Sequence, residues 1–276
     1  MNFEVHQLPD NLSRYVESVF YLKDFIPDHS IERVVPTGHV FLIFELDGIV
    51  RNTFDNDTLK ANNAYEKAWI SGVHKNYLSI SAHENSEMLV IQFKPYGAYP
   101  FFHFDLNRIN DKVINTEELF GSELTDLREQ LLSQPNSIKK FEQVEKWLNT
   151  RFNENKQPPP ELLDFYEELK KTPAASFAQL ADSYPKTQKH LIDQFKKYVG
   201  ITPKSSQRIL RFNEILHKIH NKEMITWAQV AYQCGFSDQS YFIKEFKHFS
   251  GFNPEEFIDQ EFDQDDPNFF PLDRRG

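Results

Sequence analysis

Residues 226–257 read TWAQVAYQCGFSDQSYFIKEFKHFSGFNPEEF, and this stretch decides how the C-terminal half of the chain folds. Thr226 and Asp238 each stand just ahead of an apolar-periodic run, where a side-chain oxygen can accept the orphan N–H groups of a helix's first turn. The spacing predicts helices over Thr226–Cys234 and Asp238–Phe249, with Gly235 supplying the tight turn between them. Ala231 falls where two steeply crossing helices leave no room for a larger side chain. Phe242, Phe246 and Phe249 are read as core, and Cys234 as a small buried filler. Gly251 closes the second helix, because a left-handed residue costs glycine least, and Pro254 restarts another.

The same frame occurs earlier in the chain at a shift of 51 residues. Leu191, Phe195, Lys196, Gly200 and Pro203 correspond to Phe242, Phe246, Lys247, Gly251 and Pro254. One residue is dropped in the earlier turn, so Leu180-Ala181 corresponds to Val230-Ala231. Ser176 and Thr187 are the matching N-caps, and a longer helix over Ser205–His220 joins the two copies. Each copy reads as a short helix with a central alanine, a turn, and a longer helix with lysines on its outer face. That is helix-turn-helix architecture, whose second helix can enter a major groove.

Charge is distributed to suit this. The chain carries a net −10, yet residues 186–250 hold 11 Lys and Arg against 5 Asp and Glu, a local +6. Residues 1–160 hold 16 against 23, a local −7. Phosphate binding follows the local charge. A single cysteine among 276 residues excludes an intrachain disulfide framework and a cysteine-based zinc site. The N-terminus shows no basic start followed by an apolar run. The longest aliphatic-aromatic stretch, Val40–Phe44, is far short of the ~20 residues of a membrane span. A soluble, cytoplasmic protein is expected.

Further outward, residues 153–160 (NENKQPPP) break any helix and mark a Pro-rich linker. Before them, Ile31–Val35, Val40–Leu46, Trp69–Val73, Leu78–Ser81 and Met88–Phe93 read as strands separated by turn chemistry. Helical spacing then covers 116–133 and 137–152, where Ile138, Phe141, Val144, Glu145 and Leu148 make a mainly apolar stripe that packs on the strands or pairs two subunits. The expected fold class is α+β with two domains: a β-barrel with a helical hairpin, then an all-α domain with two helix-turn-helix units. The boundaries expected are 1–152, with the hairpin at 116–152, the linker 153–160, the DNA-binding domain 161–262 and an acidic tail 263–276.

On these residues the C-terminal part is similar to the AraC/XylS family. Ala231, the run Gly235-Phe-Ser-Asp-Gln-Ser-Tyr-Phe242, the basic-x-Phe-Lys run ending at Lys247, and Gly251-x-x-Pro254 follow the family's pattern, and Arg208-Ile-Leu-Arg211 resembles its connecting helix. The resemblance spans about residues 160–260 and implies seven helices, with one long helix joining two reading helices. Carried over residue by residue, it implies that Asp238, Gln239, Ser240 and Lys244 face DNA in the second unit. Gln239 and Ser240 would reach base edges, Lys244 and Lys247 bases or phosphates. Glutamine pairs bidentately with adenine, and lysine favours guanine. The corresponding residues of the first unit are Lys186, Gln188, Lys189, His190 and Asp193. The family usually has arginine at positions 189 and 193, and Asp193 is expected to pair with Lys189 four residues back or to accept from a cytosine amine. Arg208 and Arg211 are read equally as partners of acidic neighbours or of phosphate.

Residues 1–152 resemble the cupin-like sensor domains fused to such units, through Arg33-Val-Val-Pro-Thr-Gly-His39, Val40–Phe44 and Phe93-Lys-Pro-Tyr-Gly-Ala98. The effector is unknown. Arg33, Trp69, Tyr77 and Tyr96 are candidates to line a pocket, and each is read equally as a core or rim residue. His29, His39, His74, His83 and His103 include no His-x-His pair, so no metal and no cofactor is expected. No nucleophile elbow, His-Glu-x-x-His, phosphate loop or dinucleotide fingerprint occurs, so an enzyme is not expected. The reading is a transcription regulator that binds double-stranded DNA and responds to a small molecule, with RNA polymerase and a second copy of the chain as further candidate partners and no membrane. The alternative is a cupin-like binding or catalytic protein whose helical domain has lost DNA binding.

Overall fold

The structure, a computed structural model, describes residues 1–219, 226–259 and 268–274. The N-terminal part holds ten strands: β1 (Asn2–Val5), β2 (Val16–Phe25), β3 (Ile31–Val34), β4 (Val40–Glu45), β5 (Arg51–Phe54), β6 (Ala61–Tyr65), β7 (Ala68–Ser71), β8 (Leu78–Ser81), β9 (Ser86–Phe93) and β10 (Val113–Asn115). A short strand near the C-terminus is β11 (Phe269–Pro271). They form two antiparallel sheets, ordered β1-β2-β9-β4-β7-β10 and β11-β3-β8-β5-β6.

β4 lies between β9 and β7 and is apolar at nearly every position because both its faces are covered. Leu42 and Phe44 join Ile70, Leu89, Ile91 and Phe93 on the helical side, while Ile43 meets Trp69, Val90 and Tyr65 on the other. The strands absent from the sequence expectation have local reasons for their silence. β2 breaks register at Val16/Ser18 and again at Leu22/Phe25, which interrupts its two-residue period. β6 is exposed at four of five positions and so has no apolar face to betray it.

Five helices interrupt or follow these strands: α1 (Asp10–Ser13), α2 (Tyr99–Phe102), α3 (Glu117–Phe120), α4 (Glu123–Leu132) and α5 (Ser137–Arg151). Asn136 caps α5 by accepting the Lys139 N–H at 3.0 Å. Leu124, Leu127 and Leu131 of α4 and Phe141, Val144 and Leu148 of α5 are buried in the same core as the first sheet. The hairpin stripe therefore packs on its own domain, and Ile138, expected in that stripe, is 64% exposed.

Seven helices complete the described residues: α6 (Pro160–Lys171), α7 (Phe177–Asp182), α8 (Gln188–Tyr198), α9 (Pro203–Ile219), α10 (Trp227–Gln233), α11 (Gln239–Ser250) and α12 (Pro254–Asp259). His220, expected to end the connecting helix, lies outside the described residues, as do 260–262 of the expected domain and half of the expected tail, 263–267 and 275–276. Two segments are held against the N-terminal domain. The Pro-rich stretch is no free tether: Asn153 donates its N–H to Pro100, Gln157 accepts from the Tyr15 hydroxyl at 2.7 Å, and Pro160 opens α6 at a position where a missing N–H costs nothing. The tail returns as β11, placing Phe270 opposite Arg33 on β3 and packing its ring on Phe257 at 4.8 Å. Asp273 then accepts the backbone N–H groups of Ser30 and Ile31 at 2.9 and 2.8 Å.

Candidate nucleic-acid interface

α10 and α11 pack through Val230 and Ala231, both buried, with Cys234 fully enclosed behind them. Gly235 turns at φ +76°, and a methyl group there would fall 2.9 Å from Ala174, so the corner demands glycine on two counts. On α11, Phe242, Phe246 and Phe249 follow helical spacing and are buried. Rings of this stripe meet Trp227 at 5.9 and 5.4 Å and Phe212 of α9 at 5.5 and 5.2 Å. With that stripe committed to the core, the opposite face must carry Gln239, Ser240, Lys244 and Lys247, all exposed. Tyr241 and Ile243, 48% and 37% exposed, flank them.

Asp238 serves the helix itself, because its carboxylate accepts the Ser240 N–H at 2.8 Å and caps α11. Glu245, the acidic residue within α11, is drawn toward the connecting helix, where Arg208 grips it with two bonds of 2.8 and 2.7 Å. Arg211 donates to the Pro173 carbonyl. Both arginines of the connecting helix are thus engaged inside the protein. The outward groups of α11 are left cationic or neutral.

The first unit repeats the frame. Leu180 and Ala181 are buried at the crossing, Thr187 caps α8 by accepting the His190 N–H, and Leu191, Phe195 and Tyr198 face inward. Gln188, Lys189, Asp193 and Lys196 are exposed. Three features differ from the sequence expectation. Lys189 and Asp193 form no ion pair with each other, and Asp193 has no ion-pair partner among the described residues. Lys186 is bonded to Glu161 of α6, which holds the Glu161 carboxyl below its usual range. The His190 ring stacks on Tyr184, 6.0 Å between centres, with its Nδ1 3.2 Å from the tyrosine hydroxyl, so it braces the turn from a half-buried position.

In the N-terminal domain the four residues expected to line a pocket are dispersed. Trp69 donates its indole N–H to Glu45 at 2.9 Å between the sheets. Tyr96 packs edge-on against Tyr166 of α6. Arg33 and Tyr77 lie together under the second helix-turn-helix unit. Sequence reasoning missed the polar centre beside Trp69, in which buried Arg51 sits 2.9 Å from Glu45 and 2.5 Å from Asp47. Burial pushes the Glu45 carboxyl up to about 7. A charged residue in an otherwise apolar strand, as Glu45 is at the end of VFLIFE, is the one signal that could have found it. The histidines are scattered: His29 between Asp28 and Glu32, His74 on Ser71, His83 on Ser81, His103 on the Pro100 and Arg151 carbonyls, and His39 edge-on to Phe41. A surface cleft of about 560 Å³ opens between His29, Ile31, Asn52, Phe54 and His83.

Residues 180–260 match the family model of a helix-turn-helix domain. Ahead of it, residues 5–115 match a domain of unknown function, DUF6597. A curated relative is the HTH-type transcriptional activator RhaS of Escherichia fergusonii, 26% identical over 147 residues. That match covers 52% of this chain and 45% of the relative, so the chain spans less than half of RhaS. Among solved structures, ToxT from Vibrio cholerae is 13% identical, with 94% of this chain and 98% of that chain covered at a TM-score of 0.44. A ToxT structure with bound (E)-4-(8-methylnaphthalen-1-yl)but-3-enoic acid has the same identity and a TM-score of 0.45. Among the described residues no helix is long and apolar enough to cross a membrane.

Proposed function

We propose that the chain is a sequence-specific DNA-binding transcription regulator whose N-terminal domain responds to a small molecule. The observation that carries this reading is the outer face of α11. A helix whose inner face is fixed by three phenylalanines presents Gln239, Ser240, Lys244 and Lys247 to solvent, while its glutamate is held on the far side by Arg208. A pair of lysines beside an amide and a hydroxyl is what a major groove requires: cations for phosphates or guanine, and polar groups for base edges.

In this reading Gln239 and Ser240 read bases and Lys244 and Lys247 contact bases or phosphates. Asp238 acts through the helix start it caps. Gln188, Lys189 and Lys196 make the first unit's contacts, and the unneutralised Asp193 among them weakens that unit's hold on phosphate. Lys186, committed to Glu161, contributes less, and His190 supports the turn. Transcription control brings RNA polymerase as a further partner. The chain acts by binding and is not an enzyme.

The test is selection of genomic DNA fragments by the purified protein at two salt concentrations. A bipartite motif with half-sites about 10 base pairs apart supports the reading. Retention of no sequence above random DNA at either salt would refute it.

A further inference from the structure

The 51-residue repeat places Gly200 and Gly251 at equivalent corners, each ending a reading helix, at φ +91° and +75°. Both corners are where the N-terminal domain touches the helical one. A methyl at Gly200 would fall 3.1 Å from the Leu106 carbonyl oxygen, and the neighbouring Tyr198 ring lies 4.7 Å from that of Tyr99. A methyl at Gly251 would collide with the Arg33 guanidinium and fall 2.8 Å from the Tyr77 ring. Between the two corners the connecting helix is also held, since Asn213 donates to the Pro36 carbonyl at 3.3 Å.

The two contacts differ in kind. The first is aromatic and backbone packing, and Lys197 lies over Tyr99 with its ammonium 5.0 Å from the ring centre. The second is a buried cation. Arg33, 8% exposed, lies between the rings of Tyr77 and Phe252 at 4.2 and 4.4 Å and donates to the Ser250 carbonyl at 3.3 Å. Among the described residues no carboxylate pairs with it, and its Nε has no hydrogen-bond partner. A guanidinium stacked on two rings and bonded to the last carbonyl of a helix suits a helix C-terminus electrostatically. A buried charge without a counter-ion is nonetheless a contact that water competes for.

We propose that Arg33 is the positioning residue of the second reading helix, and that with Leu106 it makes the N-terminal domain a two-point clamp setting the distance and angle between the two units. The apolar point holds the first unit permanently. The arginine point releases first, so the second unit is the one whose placement the N-terminal domain adjusts. β3, which carries Arg33, is also the strand that receives β11, so the end of α11 and the chain that follows it both reach one strand.

The clamp is tested without DNA by distance measurement between spin labels on the full chain. The labels go at exposed positions outside the reading faces, Gln179→Cys and Gln229→Cys, in a Cys234→Ser background. A narrow distribution is expected with Arg33 present, and its loss to a broad or displaced one with Arg33→Ala. Phe252→Leu removes a ring from the other side of the contact and leaves β3 intact; it is expected to broaden the distribution likewise and decides the matter if Arg33→Ala melts the sheet. A distribution unchanged by both variants overturns the clamp, because the connecting helix alone would then set the geometry. A second arm rests on the DNA-binding reading: duplexes with the two half-sites at stepped spacings. The parent protein should prefer one spacing, and Arg33→Ala should lose that preference while keeping the base preference within each half-site. Failure of the parent protein to bind any duplex refutes the regulator reading, and the label distances still decide the clamp.

Discussion

The two helix-turn-helix units share an inner frame and part company on their outer faces. In the second, α11 turns Gln239, Ser240, Lys244 and Lys247 to solvent, and Arg208 draws Glu245 away. In the first, α8 presents Lys189 and Lys196 together with an Asp193 that no cation among the described residues neutralises, and Lys186 is engaged by Glu161. The inner frames were free to duplicate because a buried phenylalanine needs only a matching hole. The outer faces diverged because nothing in the core constrains them. The comparison teaches that equivalence in packing does not carry equivalence in recognition.

The largest effects should fall on the shared frame. Phe195→Ala and Phe246→Ala each remove a fully buried ring, and each should cost about 3–5 kcal/mol of stability in thermal or denaturant unfolding. A cost confined to one of them would break the equivalence of the two cores. Next come the outer faces, measured by binding to the selected duplex and to every single-base variant of it. Gln239→Ala should lose about 1–3 kcal/mol of discrimination at one base pair, whereas Lys247→Ala should weaken all duplexes alike and reduce the salt slope by about one. Gln188→Ala losing as much discrimination as Gln239→Ala would erase the contrast between units.

Smaller effects test the caps. Thr187→Ala and Asp238→Ala should each cost about 1 kcal/mol in unfolding, Asp238 the more since its bond is shorter, 2.8 against 3.2 Å. The smallest effect expected is that of Asp193→Asn, which removes an unneutralised negative charge from the first reading face. It should raise affinity for random duplex slightly at low salt and leave the melting temperature unchanged. An affinity loss there, limited to sites with cytosine at one position, would instead mark Asp193 as a base reader.

A pH series adds a control from the other domain. Glu45, held near 7 when folded against 4.5 for a free carboxyl, binds its proton more tightly in the folded state. Stability from this group is full below about pH 4.5 and is lost as pH rises through 7. Glu45→Gln should flatten melting temperature over that window while leaving both reading helices untouched.

Much of the C-terminal half was legible. The helices over 177–182, 188–198, 227–233 and 239–250 fall where caps, glycines and prolines placed them. Thr187 and Asp238 cap as expected, whereas Ser176 and Thr226 stand at the N-cap without a side-chain bond. In the N-terminal half only the strands with strong apolar character were visible. Bulged β2 and solvent-facing β6 were not, since their pairing partners, and not their own periodicity, make them strands. The candidate pocket residues lie apart in the structure, because an arginine or a tyrosine near a strand end is equally suited to a rim, a core or a domain seam.

What the sequence determined by itself is what depends on a few adjacent residues: where helices start and stop, which face of each is apolar, and that the frame occurs twice. Those follow from backbone sterics at glycine and proline, from local capping, and from a period of 3.6 residues. The tertiary structure decided the rest. Arg33 finds Ser250 across 217 positions of chain, Phe270 joins β3 as an edge strand, and Glu245 is claimed by Arg208. Such choices are made by competition among many partners of similar chemistry, and only packing the whole chain at once determines which is within reach.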